Sequence, residues 1–189
     1  EQFHFSDIAQ ARRSVMAAVR ESFEETGILL AGEDEQDVVE RSSTPEFMAW
    51  REAVAAQDKS FSDFLTSSGL SVRADLLRPV ARWQSPDFFL KRYDIAYFST
   101  ALPVGQDPKL LLGKGVWGDW LNVRELLEAK DTSELGDRIG QPNTVGRTLD
   151  QLITPGVMCL LESLAKAQTS VAWLSKRRKI EVKKPVLVT

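Results

Sequence analysis

The nine residues Arg20-Glu21-Ser22-Phe23-Glu24-Glu25-Thr26-Gly27-Ile28 combine a helical apolar pattern with an unusual density of carboxylates. Glu21, Glu24 and Glu25 are spaced i, i+3 and i+4, so on a helix they share one face and repel one another. The last two also precede Gly27, a residue typical of helix ends, where the helix dipole disfavours each negative charge by about 0.3 to 1 kcal/mol. The cluster therefore needs a cation, and clustered carboxylate oxygens favour Mg²⁺ or a similar divalent metal ion.

An amphipathic helix is predicted to carry this cluster, from about Asp7 to Thr26, with Ser6 as its N-cap. Its apolar residues recur at three- and four-residue spacing and form one stripe: Ile8, Ala11, Val15, Met16, Val19 and Phe23. We expect this stripe to pack on a core, so that the carboxylates are held rigidly on the opposite face and look outward, as suits a metal site. On spacing alone, a solvated acidic face at the end of an ordinary helix stays open as the alternative.

The same stretch resembles the second half of the Nudix box, a pattern that runs G-x5-E-x7-R-E-U-x-E-E-x-G-U, with U a bulky apolar residue. The positions that fit are Arg20, Glu21, Glu24, Glu25, Gly27 and Ile28, whereas Ser22 replaces the first U. In this family the helix binds divalent cations that bridge the diphosphate of a nucleoside diphosphate linked to another group, and water attacks one phosphorus.

The resemblance implies a role for each charged residue of the motif. Mg²⁺ or Mn²⁺ is the implied cofactor, with Glu24 and Glu25 as metal ligands. Glu21 is implied to be a third ligand or the general base, and Arg20 the cation that orients the glutamates. These roles agree with metal chemistry in which the ion neutralises phosphate charge and lowers the pKa of bound water.

Three later segments resemble one branch of the family, which contains the coenzyme A diphosphatases of peroxisomes and mitochondria and many bacterial relatives. The segments are Arg78-Pro79-Val80-Ala81-Arg82-Trp83, Lys91-Arg92-Tyr93-Asp94-Ile95-Ala96-Tyr97-Phe98 and Ala101-Leu102-Pro103-Val104-Gly105-Gln106. In that branch the glycine-rich loop lies further upstream of the helix. Strict spacing would place the box glycine and its first glutamate where this chain has Ser6 and Arg12. The resemblance therefore implies that the N-terminal strands and the glycine loop are absent from this chain, and we expect it to be part of a longer protein.

A second departure lies near Trp120. Relatives often carry an acidic residue several positions before a tryptophan resembling it, and that acid can complete the metal shell. This chain has Lys114, Gly115 and Val116 there. The shell is therefore expected to be weaker, or to be completed by substrate phosphates and water, which Mg²⁺ readily accepts.

The expected architecture is one α/β domain over residues 1–189, because this length with 43% hydrophobic residues allows one core and is short for two. The resemblance implies a Nudix-type α/β/α sandwich with a mixed sheet. Strands are predicted at Val80 to Gln84 and Tyr93 to Leu102, with weaker candidates at Leu110 to Leu112 and Val116 to Val123. A helical insertion of about residues 33–77 follows the helix of the motif, and we interpret it either as a lid over the substrate or as a packing or dimer surface.

Further helices are predicted from local signals. Within the insertion, Thr44 and Pro45 start one helix and a second holds Phe61, Phe64 and Leu65. Beyond the strands the predicted helices cover 124–129, 148–167 with a break at 154–156, and 170–174.

Charge and residue usage narrow the function classes. Twenty-four basic and 27 acidic residues give a net charge of −3, so a dedicated nucleic-acid binder is not expected. A single cysteine excludes an intramolecular disulfide, and a single histidine argues against Ser-His-Asp catalysis. No apolar run reaches membrane-spanning length. We expect a cytoplasmic protein that acts on a small nucleotide without a membrane partner, and a homodimer is left open.

Two groups of basic residues have two interpretations each. Arg82 and Arg92 lie near strand ends and are weak candidates for phosphate contacts, the alternative being solvation or pairing with Asp87 and Asp94. The C-terminal run Lys176-Arg177-Arg178-Lys179 with Lys183-Lys184 suits a polyanion or RNA, but a solvated tail is the expected reading, because no aromatic residues interleave with it.

The sequence thus predicts a metal-dependent Nudix hydrolase that splits a diphosphate bond in a nucleoside-diphosphate-linked substrate, with coenzyme A or an acyl-CoA first among the candidates. One rival is a Nudix-fold nucleotide-binding or regulatory module with little or no turnover. The other is a Nudix hydrolase acting on ADP-ribose or dinucleotide polyphosphates.

Overall fold

The computed structural model of the 189-residue chain describes Phe5 and residues 7–186. The α-helices in this part of the chain are α1 (Ile8–Thr26), α2 (Pro45–Ala55), α3 (Phe61–Ser67), α4 (Val123–Glu128), α5 (Glu134–Ile139), α6 (Leu149–Leu152), α7 (Pro155–Ala165) and α8 (Ser170–Ser175). The strands are β1 (Ala31–Gly32), β2 (Ser71–Val72), β3 (Arg78–Gln84), β4 (Asp94–Ser99) and β5 (Val182–Lys183), and a 3-10 helix covers Ala74–Leu76. None of these helices is long and apolar enough to cross a membrane.

The strands form two small sheets. β1 and β2 pair antiparallel, with Ala31 opposite Val72 and Gly32 opposite Ser71. The second sheet has the order β4-β3-β5. The prediction of strands at 110–112 and 116–123 is wrong: Leu112, Gly113 and Lys114 form a turn, residues 116–122 are irregular, and Val123 begins α4. Gly113 has a φ of +85°, which bends the chain out of the extended path that a strand needs.

Contacts within the chain divide it into two compact units. The first comprises the described residues up to Arg82 with Ala96–Val116 and Ile180–Val182, and it contains α1 to α3. The second comprises Trp83–Ile95, Trp117–Lys179 and the described residues from Lys183, and it contains α4 to α8. That both units belong to one folding domain over residues 1–189 stays a prediction.

Helix α1 forms as the apolar spacing predicts. The predicted N-cap, Ser6, lies outside the described residues, and Asp7 caps the helix by accepting a hydrogen bond of 2.6 Å from the Gln10 amide. Val19 and Phe23 are fully buried, but Ile8 is 72% exposed. The buried stripe therefore occupies only the C-terminal half of the helix, the half that carries the glutamates.

The helical insertion contributes to the core of the first unit. Phe64 of α3 is fully buried and stacks on Phe23 of α1, with ring centroids 4.9 Å apart and an interplanar angle of 2°. Phe47 and Trp50 of α2 and Phe61 of α3 surround Phe64 at centroid distances of 5.5, 5.7 and 5.8 Å. Because one aromatic cluster joins all three helices, these contacts support the packing interpretation of the insertion over the lid.

In the second unit, α4 packs against α7, and Arg124 donates hydrogen bonds of 3.2 and 2.8 Å to the Ala165 and Ala167 carbonyls at the end of α7. The basic C-terminal run also has partners in this unit. Arg178 donates a hydrogen bond of 2.6 Å to the Trp173 carbonyl, and its guanidinium lies 4.0 Å from the centroid of that indole ring. Those contacts account for part of the run without a polyanionic ligand.

Replacement of Phe64 tests whether the insertion is core or lid. We expect Phe64→Ala to lower the free energy of unfolding by about 3 to 5 kcal/mol, because it removes a buried ring and leaves a cavity. Phe88→Ala is the control, since Phe88 is 54% exposed. Urea denaturation followed by circular dichroism measures both. Equal stabilities of the two variants would contradict the assignment of the insertion to the core.

Candidate functional site

The last turn of α1 is the framework of the candidate site, because each of the four carbonyls at this helix end has a hydrogen-bond donor. Gly27, with a φ of +77°, donates its amide to the Phe23 carbonyl at 3.0 Å. The Thr26 hydroxyl donates to the Ser22 carbonyl at 2.7 Å. Such an end, with a left-handed glycine, is the one that the sequence motif predicts.

Arg51 of α2 completes this helix end from outside. Its Nε donates to the Glu24 carbonyl at 3.0 Å, and its Nη2 donates to the Lys109 carbonyl at 2.7 Å. The residue is only 1% exposed, and burial lowers the pKa of its guanidinium, with Glu52 acting in the opposite direction. A cation beside the negative end of α1 also offsets the unfavourable helix dipole at the glutamates.

The loop that follows β4 supplies the remaining partners. Lys109 donates its amide to the Thr26 carbonyl at 2.8 Å, and Leu111 donates its amide to the Glu25 carbonyl at 3.4 Å. Upstream, the buried Gln106 donates to the Leu29 carbonyl at 2.8 Å and accepts from the Leu29 amide at 2.8 Å. Its side-chain amide thus pairs with Leu29 as a neighbouring strand would.

The charged side chains of the motif meet at Glu24. Arg20 lies between two glutamates, with its Nη2 3.1 Å from Glu21 Oε1 and its Nη1 3.4 Å from Glu24 Oε1. On the other side, Lys114 Nζ lies 3.4 Å from Glu24 Oε2. Glu24 is only 7% exposed, and its Oε1 is buried without a hydrogen-bond partner. Glu25 and Glu21 are exposed. The expectation that the carboxylates look outward therefore holds for Glu21 and Glu25 but is wrong for Glu24, which lies next to Phe23 on the buried side of the helix end.

The fold is comparable to that of a solved protein. The crystal structure of a NUDIX hydrolase from Alicyclobacillus acidocaldarius superposes on this chain with a TM-score of 0.68, at 17% sequence identity, covering 95% of this chain and 72% of that one. The fold is of the Nudix type. No protein-family model matches the chain, and no curated protein matches it. The likeness confirms the predicted α/β Nudix-type fold, whereas the resemblance to the coenzyme A diphosphatase branch stays a prediction.

Within the Nudix-type fold, the donor set of α1 fits a divalent cation only if side chains move. Among Phe5 and residues 7–186, no group of three or more His, Cys, Asp or Glu side chains is arranged to hold a metal ion. Arg20 and Lys114 contact the Glu24 oxygens instead. The three carboxylates are nevertheless carried close together on one helix, and Glu24 Oε1, which accepts no hydrogen bond and has only the ion pair with Arg20, is the kind of hard donor that Mg²⁺ and Mn²⁺ accept. The residues present therefore fit such an ion once the basic side chains move aside.

The two weaker candidates for substrate binding have other contacts. Arg82 is 5% exposed, and its guanidinium lies 4.4 Å from the centroid of the Phe5 ring. Arg92 is exposed and pairs with Asp87 at 3.3 Å, one of the two partners expected from the sequence. The Arg92 contact belongs to the alternative interpretation, whereas the burial of Arg82 against Phe5 was not expected, and phosphate binding by either residue stays a prediction.

Three residues that build the site were not predicted to belong to it: Arg51, Gln106 and Lys114. Arg51 carried a signal, because it falls on the apolar spacing of its helix between Trp50 and Val54, and an arginine in a buried stripe must find acceptors. At Lys114 the sequence showed only that an acidic residue common in relatives is absent. Gln106 had no signal beyond its place in a segment resembling relatives, since its partners are backbone groups about 70 residues away in sequence.

Loss of the Arg51 guanidinium should destabilise the first unit. We expect Arg51→Met to lower the free energy of unfolding by about 2 to 5 kcal/mol, because it leaves the Glu24 and Lys109 carbonyls without their donors in a buried position. Arg41→Met is the control, since Arg41 is exposed. Chemical denaturation measures the difference, and a loss no larger than that of Arg41→Met would contradict the role of Arg51 as the helix-end donor.

Gly27→Ala separates backbone strain from the contact with Arg51. A Cβ atom at Gly27 would lie 3.1 Å from Arg51 Nη1, whereas at Gly69, with a φ of +66°, it would meet no atom within 4 Å. Alanine in the left-handed region costs about 1 to 2 kcal/mol at either site. We therefore expect Gly27→Ala to lower the free energy of unfolding, measured in denaturant, more than Gly69→Ala does. Equal losses would show that Arg51 moves away from the added methyl group without a loss of stability.

Proposed function

We propose that this protein hydrolyses a diphosphate bond in a nucleotide-containing substrate and that Mg²⁺ or Mn²⁺ supports the reaction. The observation that carries the proposal is the buried Glu24 carboxylate, with an Oε1 that lacks a hydrogen-bond partner, on a helix that also presents Glu21 and Glu25 to solvent. Burial of a carboxylate costs stability, and at Glu24 this cost is offset only by long contacts of 3.4 Å with Lys114 and Arg20, so such a group at the end of a rigid helix suits a binding role.

The roles of the side chains follow from their exposure and contacts. Glu24, held from both sides, and the exposed Glu25 would hold the metal ion through their oxygens. Glu21 is the better candidate for accepting a proton, because its side chain is 61% exposed and is oriented by Arg20 at 3.1 Å. When bound, the ion would neutralise phosphate charge and lower the pKa of a water molecule for in-line attack.

The framework beneath these side chains limits how far they move. Arg51, Lys109 and Leu111 fix the backbone carbonyls of Glu24, Thr26 and Glu25. Reacting groups must be held to within about 0.5 Å for efficient catalysis, so a helix end with every carbonyl paired is a suitable base for the site.

The proposed substrate is a small nucleotide rather than a nucleic acid, in a cytoplasmic setting. Coenzyme A or an acyl-CoA comes first because of the branch that the sequence resembles, followed by ADP-ribose and dinucleotide polyphosphates. The net charge of −3 gives no general attraction for polyanions, so selectivity has to come from local contacts.

A nucleotide-binding module without turnover is the second candidate. It is favoured by one observation, the pairing of Glu24 with Arg20 and Lys114, which engages both oxygens of the carboxylate without a metal ion. If these pairs persist while Mg²⁺ and a nucleotide are bound, the Glu24 carboxylate is not available to the metal ion, and the protein binds the nucleotide without activating water.

Incubation with candidate substrates tests the enzyme proposal. Coenzyme A, ADP-ribose and diadenosine polyphosphates are supplied with Mg²⁺ or Mn²⁺, and products are separated by chromatography. We expect Glu24→Gln and Glu25→Gln each to lower kcat/KM by about 100-fold or more, since even outer-shell partners of metal sites contribute about 10- to 100-fold. Glu35→Gln, at an exposed position in the acidic loop, should be unchanged.

One pattern of results would favour the binding module instead. If wild type and both variants are equally inactive on all three substrates while a nucleotide still binds by calorimetry, the enzyme proposal is lost. Equal activity of wild type and variants would show that hydrolysis occurs without the α1 carboxylates.

A further inference from the structure

Two partly exposed cations contact the Glu24 carboxylate. Lys114 Nζ and Arg20 Nη1 each lie 3.4 Å from one oxygen of the carboxylate, and both distances are longer than the 2.7 to 2.9 Å, roughly, of a strong charge-assisted hydrogen bond. The Glu24 side chain is 9% exposed, whereas the side chains of Lys114 and Arg20 are 36% and 41% exposed. The carboxylate is thus fixed, and the cations around it keep a path to solvent.

Lys114 is delivered to this position by the loop that closes the end of α1. The amides of Lys109 and Leu111 bond to the last carbonyls of the helix, and the Lys114 amide then closes a turn by donating to the Leu111 carbonyl at 3.0 Å. Gly113, with a φ of +85°, makes that turn tight. The backbone of Lys114 is therefore held by the same helix end that carries Glu24, while its ammonium sits on a flexible stem.

We propose that Lys114 is a displaceable internal counter-ion of Glu24, which competes with a divalent metal ion for the same carboxylate. This inference rests on the proposed function, because it requires Glu24 to bind metal. Without metal, the ammonium compensates a carboxylate that would otherwise be buried with less neutralising charge. With metal, two cations near one oxygen repel each other, so the lysine moves out along its exposed path and the ion takes its place.

The competition has a measurable consequence. Because the ammonium must be displaced, Lys114 weakens metal binding relative to a neutral side chain of similar length. Its removal should therefore tighten binding, which is the opposite of what the loss of a structural or ligand-binding residue would do. The size of the effect is limited by solvent screening of a lysine that is one-third exposed.

Mn²⁺ binding to metal-stripped protein tests the proposal without any activity assay. We expect Lys114→Met to lower the Kd for Mn²⁺, measured by calorimetry, by about fivefold. Lys109→Met is the matched control and should leave Kd unchanged, because it removes the same charge five positions earlier from an ammonium that lies 3.8 Å from Asp107. Lys114→Arg should stay close to wild type, because it keeps the charge.

A second measurement guards against indirect effects on folding. The increase in Tm on addition of Mn²⁺ should be larger for Lys114→Met than for wild type, and the difference should vanish when both proteins also carry Glu24→Gln. If the difference in the Tm increase vanishes, the effect of Lys114 acts through the Glu24 carboxylate.

The failure of this proposal differs from the failure of the proposed function. If wild type binds Mn²⁺ and Lys114→Met binds it equally or more weakly, the counter-ion role is overturned and the metal site remains. If wild type, Lys114→Met and Lys114→Arg all fail to bind Mn²⁺ at millimolar concentration while remaining folded by circular dichroism, both proposals are overturned.

Discussion

The first unit depends on how the backbone carbonyls at the end of α1 are paired. A helix that ends in the protein interior leaves acceptors that water cannot reach, and each unpaired one costs free energy comparable to a lost hydrogen bond. Here the acceptors bond to the guanidinium of Arg51 and to the amides of Lys109 and Leu111. These hydrogen bonds therefore hold α2 and the loop after β4 against the helix. The carboxylates of the motif are thus carried by a rigid helix end.

The cations around this helix end also explain why acidic residues are tolerated where the helix dipole disfavours them. Arg51 brings a positive charge to the main chain of Glu24, while Arg20 and Lys114 bring theirs to its side chain. The arginine is buried and permanent, whereas the other two are partly exposed. The helix end thus has one buried cation on its backbone and two partly exposed cations on its carboxylate, so the stability of the fold and the environment of the carboxylate depend on different residues.

Local patterns predicted most of the helices, whereas the Nudix-type fold was predicted from the resemblance of the α1 motif to that family. Helix α1, the Thr44 cap of α2, and the break before α7 lie within a residue or two of their predicted positions, because caps, proline and apolar spacing act over a few residues. Short apolar runs around Gly113 were misread as strands, since hydrophobicity alone does not show whether a run has a partner strand. The partners of Arg51, Gln106 and Lys114 lie dozens of residues away in sequence, and no periodicity encodes them.

The way in which Gln106 holds Leu29 has a consequence for local dynamics. In a sheet, an amide hydrogen is protected by a neighbouring backbone, and it exchanges with solvent only when two strands separate. The Leu29 amide is protected by one side chain, which also donates to the Leu29 and Val39 carbonyls. We therefore expect exchange of the Leu29 amide, in the segment that leads from α1 into β1, to require displacement of the Gln106 side chain rather than separation of two strands.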